Sequence, residues 1–328
     1  MVQKLDFETF FTKLDESTET IQSDCNLTYL ESLIHTGKLL FLGDLNQPLS
    51  EIAHKKVKKA ISDIHLDDLS KEEIRKTFQL AILKGMKEAT QPNHAMTPDA
   101  VAMFMAYLVN KLTGKTDRFR ILDPAVGPGN LLTAILNHSN KQIESFGVEP
   151  DETLLQLAYV NANLQQHKTE LFHQDSLTDI LVDPVDIVVA DLPIGYYPNQ
   201  ENASRYRLKA EEGMSYTHHL MIEQSLNYTK ESGFLLFLIP NFMFESTQAK
   251  QLHHYIKEHA HIYSLLQLPK SMFKEEKHAK SIFILRKKGA GVKGPNQALL
   301  AELPSFSNKH ALSEMVTSIN NWFDAYIN

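Results

Sequence analysis

The segment that most constrains this chain runs from Asp123 to Leu132 and reads Asp-Pro-Ala-Val-Gly-Pro-Gly-Asn-Leu-Leu. It follows a short apolar strand signal, Phe119 to Leu122, and leads into a helical pattern from Asn130 to Leu136. Strand, glycine loop and helix in that order make a nucleotide-type cofactor site at the carboxyl end of a parallel strand. Gly127 and Gly129 let the backbone turn sharply and approach a ligand with no side chain in between. Asp123 ends the strand as a carboxylate aimed into the same crevice, and Ala125 and Asn130 flank the loop. A dinucleotide site calls for a third glycine, which packs helix against strand around a pyrophosphate. Leu132 stands there instead. The pattern therefore favours a ligand without phosphate whose ammonium suits a nearby carboxylate, and S-adenosylmethionine is such a ligand. Taken alone, Gly-x-Gly is also an ordinary tight turn of any doubly wound protein.

The next strands repeat the theme of an acid at the tip. Ser145 to Val148 ends at Glu149, where a carboxylate can grip a ribose diol by two charge-assisted hydrogen bonds. The competing use of Glu149 is a charge at the start of the helix from Asp151 to Leu164. Asp175 follows the third strand, Thr169 to His173. It either accepts from the adenine amino group of the cofactor or caps a short helix starting at Ser176. Asp191 to Pro198 reads Asp-Leu-Pro-Ile-Gly-Tyr-Tyr-Pro and follows the fourth strand, Asp186 to Ala190. Methyl transfer to an amine needs the nitrogen lone pair in line with the sulfonium methyl and acceptors for the N–H hydrogens. The Asp191 carboxylate and the adjacent Leu192 backbone carbonyl, fixed by Pro193, are expected to provide this, with Tyr196 counted among the catalytic candidates. A turn after a buried strand is the alternative.

Residues up to about Ala89 carry helical spacing only, in Leu5 to Leu14, Tyr29 to Leu42, Glu51 to Ile64 and Lys71 to Met86. Ser70 with Glu73 predicts a capping box for the last of these. A helical N-terminal domain over 1–90 and an α/β domain over 91–328 follow. In the second, strands are expected at Arg120 to Leu122, Ser145 to Val148, Thr169 to His173, Asp186 to Ala190, Gly233 to Ile239, Ile262 to Gln267 and Ser281 to Arg286. Helical patterns separate the first six. The last two strands are joined by the polar segment Pro269 to Lys280, which suits an antiparallel hairpin at the edge of an otherwise parallel sheet. Gly289 to Asn296 reads as a surface loop, and Ala311 to Ile327 as a closing amphipathic helix. This is the seven-stranded layout expected of a class I, Rossmann-like methyltransferase.

Together these motifs resemble the adenine-specific DNA methyltransferases of class I fold. The similarity is greatest to the methylation subunits of type I restriction-modification systems and their stand-alone bacterial relatives. His94 to Pro98 resembles the family segment that closes over the methionine end of the cofactor. Asp123 to Gly129 is similar to its Asp-Pro-Ala-x-Gly-x-Gly, Gly233 to Pro240 to its fifth strand, and Leu268 to Phe273 with Lys280 to Lys287 to its late hairpin. The resemblance implies that Thr97, Asp123, Gly127, Gly129, Glu149 and Asp175 hold S-adenosylmethionine and that Asp191 holds the target amine. The fourth motif departs from the family's Asn/Asp-Pro-Pro-Tyr/Phe. Leu192 lacks proline's rigidity. Ile194 has no π face to stack a flipped base, a role left to Tyr196 or Tyr197.

Composition limits the rest. The net charge is −7 over 328 residues, so a nucleic-acid contact must use a local patch. Lys55, Lys56, Lys58 and Lys59 form one such cluster, with a solvated helix face as the simpler reading. Arg205, Arg207 and Lys209 around Tyr206 form another, in the loop Pro198 to Ser215, where a substrate lid would lie. The single cysteine, Cys25, fits a reducing cytosol. No apolar run is long enough for a membrane span, and the histidines show no metal-ligand spacing. The expectation is a cytoplasmic methyltransferase acting on adenine in DNA, without metal, with nucleic acid and a specificity-giving protein as partners. A protein side-chain amide is the rival substrate, and a cofactor-binding scaffold without turnover is the rival class.

Overall fold

The computed structural model describes residues 6–43, 48–62, 64–88, 96–114 and 116–327. Four helices come first: α1 (Phe7–Cys25), α2 (Tyr29–Leu42), α3 (Glu51–Ile61) and α4 (Lys71–Glu88). Each starts where a side chain satisfies the free N–H groups of a first turn. Asp6 accepts from the Thr9 N–H, and Thr28 with Glu31 closes a capping box. The expected box of α4 is present too: Ser70 N–H donates to Glu73 at 2.8 Å, and Glu73 N–H donates to Ser70 Oγ at 3.2 Å. Residues 89–95 lie outside the described residues, and so do the proposed domain boundary and His94 and Ala95 of the expected closing segment.

The α/β part holds α5 (Asp99–Leu112), β1 (Arg118–Asp123), α6 (Asn130–Asn137), β2 (Gln142–Glu149), α7 (Glu152–Leu164), β3 (Thr169–His173) and β4 (Val185–Asp191). It continues with α8 (Gln200–Ala203), α9 (Thr217–Asn227), β5 (Thr229–Pro240), α10 (Ala249–His259), β6 (Ala260–Gln267), β7 (Lys280–Lys287), β8 (Leu299–Glu302) and α11 (Lys309–Tyr326). The sheet order is β3-β2-β1-β4-β5-β7-β6-β8. All neighbours are parallel except β7, which runs antiparallel to both β5 and β6. Two expectations are corrected. The sheet has eight strands, because Leu299–Glu302 adds beyond β6, so the hairpin does not form the edge. No helix separates β3 from β4. Asp175 instead caps a turn, accepting from the Leu177 N–H at 2.9 Å.

The central strands are apolar on both faces because helices cover both. Ile187 and Val189 of β4, with Leu236 and Leu238 of β5, join a core with α5, α6 and α11. The alternate residues Val188, Ala190, Leu235 and Phe237 join a second core with α9 and α10. The helical domain packs on the back of α7, where Leu154, Leu157, Val160 and Leu164 meet Phe10, Leu33 and Phe78. Gly37 makes that approach close: a Cβ on it would lie 2.2 Å from Val160 Cγ1. The helical domain thus braces the helix behind the glycine loop.

Candidate active site

The loop after β1 takes its shape from its glycines. Gly127 has φ +51° and Gly129 φ +82°, the left-handed region that side chains disfavour. A Cβ on Gly127 would project into open space, whereas one on Gly129 would press on the Ala158 backbone at 3.3 Å. The first glycine therefore leaves the crevice clear and the second allows α7 to approach. Glu149 accepts from Gly127 N–H through one oxygen and from Asp151 N–H through the other, both at 3.0 Å. Its carboxylate joins the tip of β2 to the glycine loop.

Asp123 is 1% exposed. Burial pushes its carboxyl up to about 8; Asp191 and Glu149 nearby add to the rise, and the Ala125 N–H, donating at 3.1 Å, opposes it. A buried acid in this state is poised for a cationic ligand, which would favour its ionised form. Thr97, Asp123, Ala125, Gly127, Asn130 and Asp191 share one cavity of about 60 Å³. Gly129 lies directly behind it. That space suits one end of a cofactor; Glu149, 8% exposed, lies outside its lining. The glycine cradle and the cation-seeking acid fit S-adenosylmethionine on both counts.

Asp191 is not a free carboxylate. Thr97 Oγ1 donates to its Oδ2 at 3.1 Å, and Lys280 Nζ donates to its Oδ1 at 2.5 Å. The Lys280 and Asp191 side chains are 18% and 13% exposed. Lys280 belongs to the site and was not foreseen. Leu192 is buried, with its N–H donating to Leu238 O at 3.1 Å, while Pro193 and Ile194 face solvent.

A second unforeseen residue comes from the helical domain. Arg75 of α4 is wholly buried; it pairs with Glu72 and Asp99 and donates to Asn130 Oδ1 at 2.6 Å. Asn130 in turn donates to the Thr97 carbonyl at 2.9 Å. Both ends of the Asn130 side chain are thus engaged in a relay running Arg75, Asn130, Thr97, Asp191, Lys280.

Asp175 stands apart from that cavity. Its Oδ2 accepts from the buried Tyr197 hydroxyl at 2.5 Å, so Tyr197 is not available for stacking. Tyr196 is 56% exposed, and its ring lies on Tyr216 with centroids 4.9 Å apart at 18°. In the basic loop Arg205, Arg207 and Lys209 are exposed, whereas the aromatic ring between them is not. Tyr206 is buried with its hydroxyl on Leu177 O, Arg205 meets Asp179, and Arg207 meets Glu258. Lys55, Lys56, Lys58 and Lys59 are all exposed on α3.

His218 and His219 of α9 lie buried behind Tyr216, with their rings edge to face at 4.8 Å. Burial pushes them down to about 3 and about 4 respectively. A depressed histidine contributes stability above its unfolded pKa of ~6.5, and that stability is lost as pH falls through the folded value. We expect a loss of about 3 kcal/mol or more between pH 6.5 and pH 4. Thermal melts should show it, and His218→Leu should flatten the decline. A melting temperature constant from pH 7 to pH 4.5 would exclude this effect.

The same architecture recurs in known proteins. The profile of a YtxK N-terminal helical domain matches residues 8–86. That of the N-6 DNA methylases matches residues 82–317, most of the chain. The chain belongs to the N-6 DNA methylase family. Within its wider kin, an uncharacterised Bacillus subtilis (strain 168) protein, YtxK, is 47% identical over 94% of this chain and 95% of its own. A Listeria monocytogenes protein described as a candidate class I S-adenosylmethionine-dependent methyltransferase superposes with a TM-score of 0.91 at 41% identity, covering 97% of this chain and 98% of its own. The methyltransferase subunit of a Streptococcus thermophilus type I restriction-modification system shares the fold at a TM-score of 0.61 and 14% identity, over 97% of this chain and 94% of its own. The methylase fold and the family imply the S-adenosylmethionine dependence that the glycine loop suggested.

Proposed function

We propose that this methylase transfers a methyl group from S-adenosylmethionine to an amine nitrogen, with adenine in DNA as the acceptor. The observation that carries the reading is one cavity lined by Asp123, Gly127 and Asp191 together; the reading gives Asp123 and Gly127 to the donor and Asp191 to the acceptor. S-adenosylmethionine supplies an electrophilic methyl on a positively charged sulfur. Asp123 would offer its carboxylate to the ammonium, Gly127 leaves the backbone bare, and Glu149 and Asp175 would accept from the ribose and the adenine. Gly129 and Ala125 shape the loop, and Asn130 holds it through Thr97. Asp191 accepts one N–H of the target, and the chain at Leu192 and Pro193 fixes where that carboxylate stands. Transfer of this kind rests on alignment more than on acid–base chemistry.

Adenine is favoured over a protein amide by Tyr196. With one face on Tyr216 and more than half its surface exposed, it offers the π face that Ile194 lacks. The type I subunit with the same fold belongs to a multi-part restriction system. A specificity-giving protein partner and a cytoplasmic setting fit a DNA substrate in the same way.

The test is to supply methyl-labelled donor with single-stranded DNA, mismatched duplex and protein extract in parallel. We expect label in adenine, fastest where extruding the base costs least. Tyr196→Ala should slow that transfer about 5- to 150-fold, the loss of about 1–3 kcal/mol of stacking, while donor affinity stays unchanged. Label in protein alone would favour the amide reading. Donor binding with no label anywhere would favour the scaffold.

A further inference from the structure

In a parallel sheet, only the carboxyl ends of strands deliver side chains to the ligand edge. β7 breaks that rule because it runs antiparallel between β5 and β6. Its first residue, Lys280, pairs with Pro240 at the end of β5, and Asp191 pairs with Leu238 on the other side of the same strand. The inverted strand thus brings an ammonium to the edge where Asp191, Asp123 and Glu149 gather.

We propose that Lys280 is a specificity-determining residue that restricts this site to neutral acceptor nitrogens. The reading rests on Asp191 as the acceptor-side carboxylate. A bare carboxylate beside the donor would attract any amine, cationic ones most of all. Lys280 Nζ already lies 2.5 Å from Asp191 Oδ1, and Thr97 Oγ1 lies 3.1 Å from Oδ2. The two donors fix the plane of the carboxylate and leave it a lone pair on each oxygen. The ammonium cancels its charge, so an approaching neutral N–H still finds an acceptor. An alkylammonium instead meets a like charge at close range, which is a standard means of excluding a wrong partner. The acceptor class this admits is an exocyclic base amine or an amide, and the class it excludes is lysine, polyamine and other alkylammonium groups.

The sulfonium of the donor is itself a cation, so the same charge can be read without knowing the acceptor. S-adenosylmethionine and S-adenosylhomocysteine differ by that methyl and its charge. Calorimetry at pH 8 on the full chain should show Lys280→Met tightening the charged ligand relative to the neutral one by about fivefold, the scale of one nearby charge in a partly hydrated site. Lys280→Arg, which keeps the charge, should hold the wild-type ratio. The S-adenosylhomocysteine complex of Lys280→Met should also bind n-butylammonium at concentrations where wild type does not. A change that merely loosened the fold would weaken both cofactors together and leave their ratio alone. Equal ratios in wild type and Lys280→Met, or no gain of butylammonium binding, would overturn the assignment while leaving the methylase reading intact. Failure of wild type to bind either cofactor would overturn both.

Discussion

Asp123→Asn is expected to stabilise the ligand-free protein while removing donor binding. The buried carboxyl has its pKa raised to about 8 by burial first and by Asp191 and Glu149 second. An acid whose folded pKa is raised binds more protons folded than unfolded, so stability falls as pH rises from the unfolded value of 3.8 to about 8. Asparagine escapes that loss and still accepts from the Ala125 N–H. Above pH 8 the variant should gain roughly 4–5 kcal/mol, a large share of the ~5–15 kcal/mol typical of a folded protein. At pH 4 the two proteins should melt alike. Donor affinity should drop by more than ~100-fold, since a buried ammonium would lose its counter-charge. In wild type the affinity should rise with pH up to about 8, because binding must expel the Asp123 proton. Denaturant titrations at several pH values, paired with calorimetry, check both halves. A variant less stable than wild type at pH 8 would mean that Asp123 is already paired without a ligand.

Arg75→Met should be among the most damaging single changes in the helical domain. Its guanidinium is fully buried and holds Glu72, Asp99 and Asn130 together. Removing one partner of such a cluster leaves charge uncompensated and costs about 3–5 kcal/mol. The Asp99 side chain is 37% exposed, so water relieves part of this, and the lower end applies. Arg75→Lys should rescue little, because a point charge cannot reproduce a planar fork serving several acceptors. The milder Asn130→Ala separates stability from site geometry. It cuts the relay to Thr97 but leaves Arg75 its carboxylates, so donor affinity should fall more than stability does. Wild-type donor affinity in Asn130→Ala would show that the helical domain supports the fold without shaping the site.

What the sequence by itself determined was local. Asp123, Glu149 and Asp191 were legible because each sits at a strand tip, where a short apolar run stops and a turn must begin, and the two glycines because they stand in the turn that follows. The four N-terminal helices were legible from their spacing and from the Ser70–Glu73 box, since a capping box needs only residues three apart. β8 was not, because four residues at a sheet edge carry no periodicity distinct from a loop. The missing helix after Asp175 has the same cause: one acid before a serine caps a turn as readily as a helix.

Only the tertiary structure decided which side chains meet. Arg75 lies 55 positions from Asn130, and Lys280 lies 89 from Asp191. Tyr197 and Tyr196 differ by one position, yet one is buried on Asp175 and the other faces outward on Tyr216. Burial of His218 and His219, and the pairing of the loop arginines with Asp179 and Glu258, also depend on distant elements. The physical reason is that hydrophobic pattern and turn chemistry act over a few residues. The pairing of charges and the raised pKa of Asp123 depend on strand order and on the reversed course of β7, which bring remote groups within a few ångströms in a site largely shielded from water.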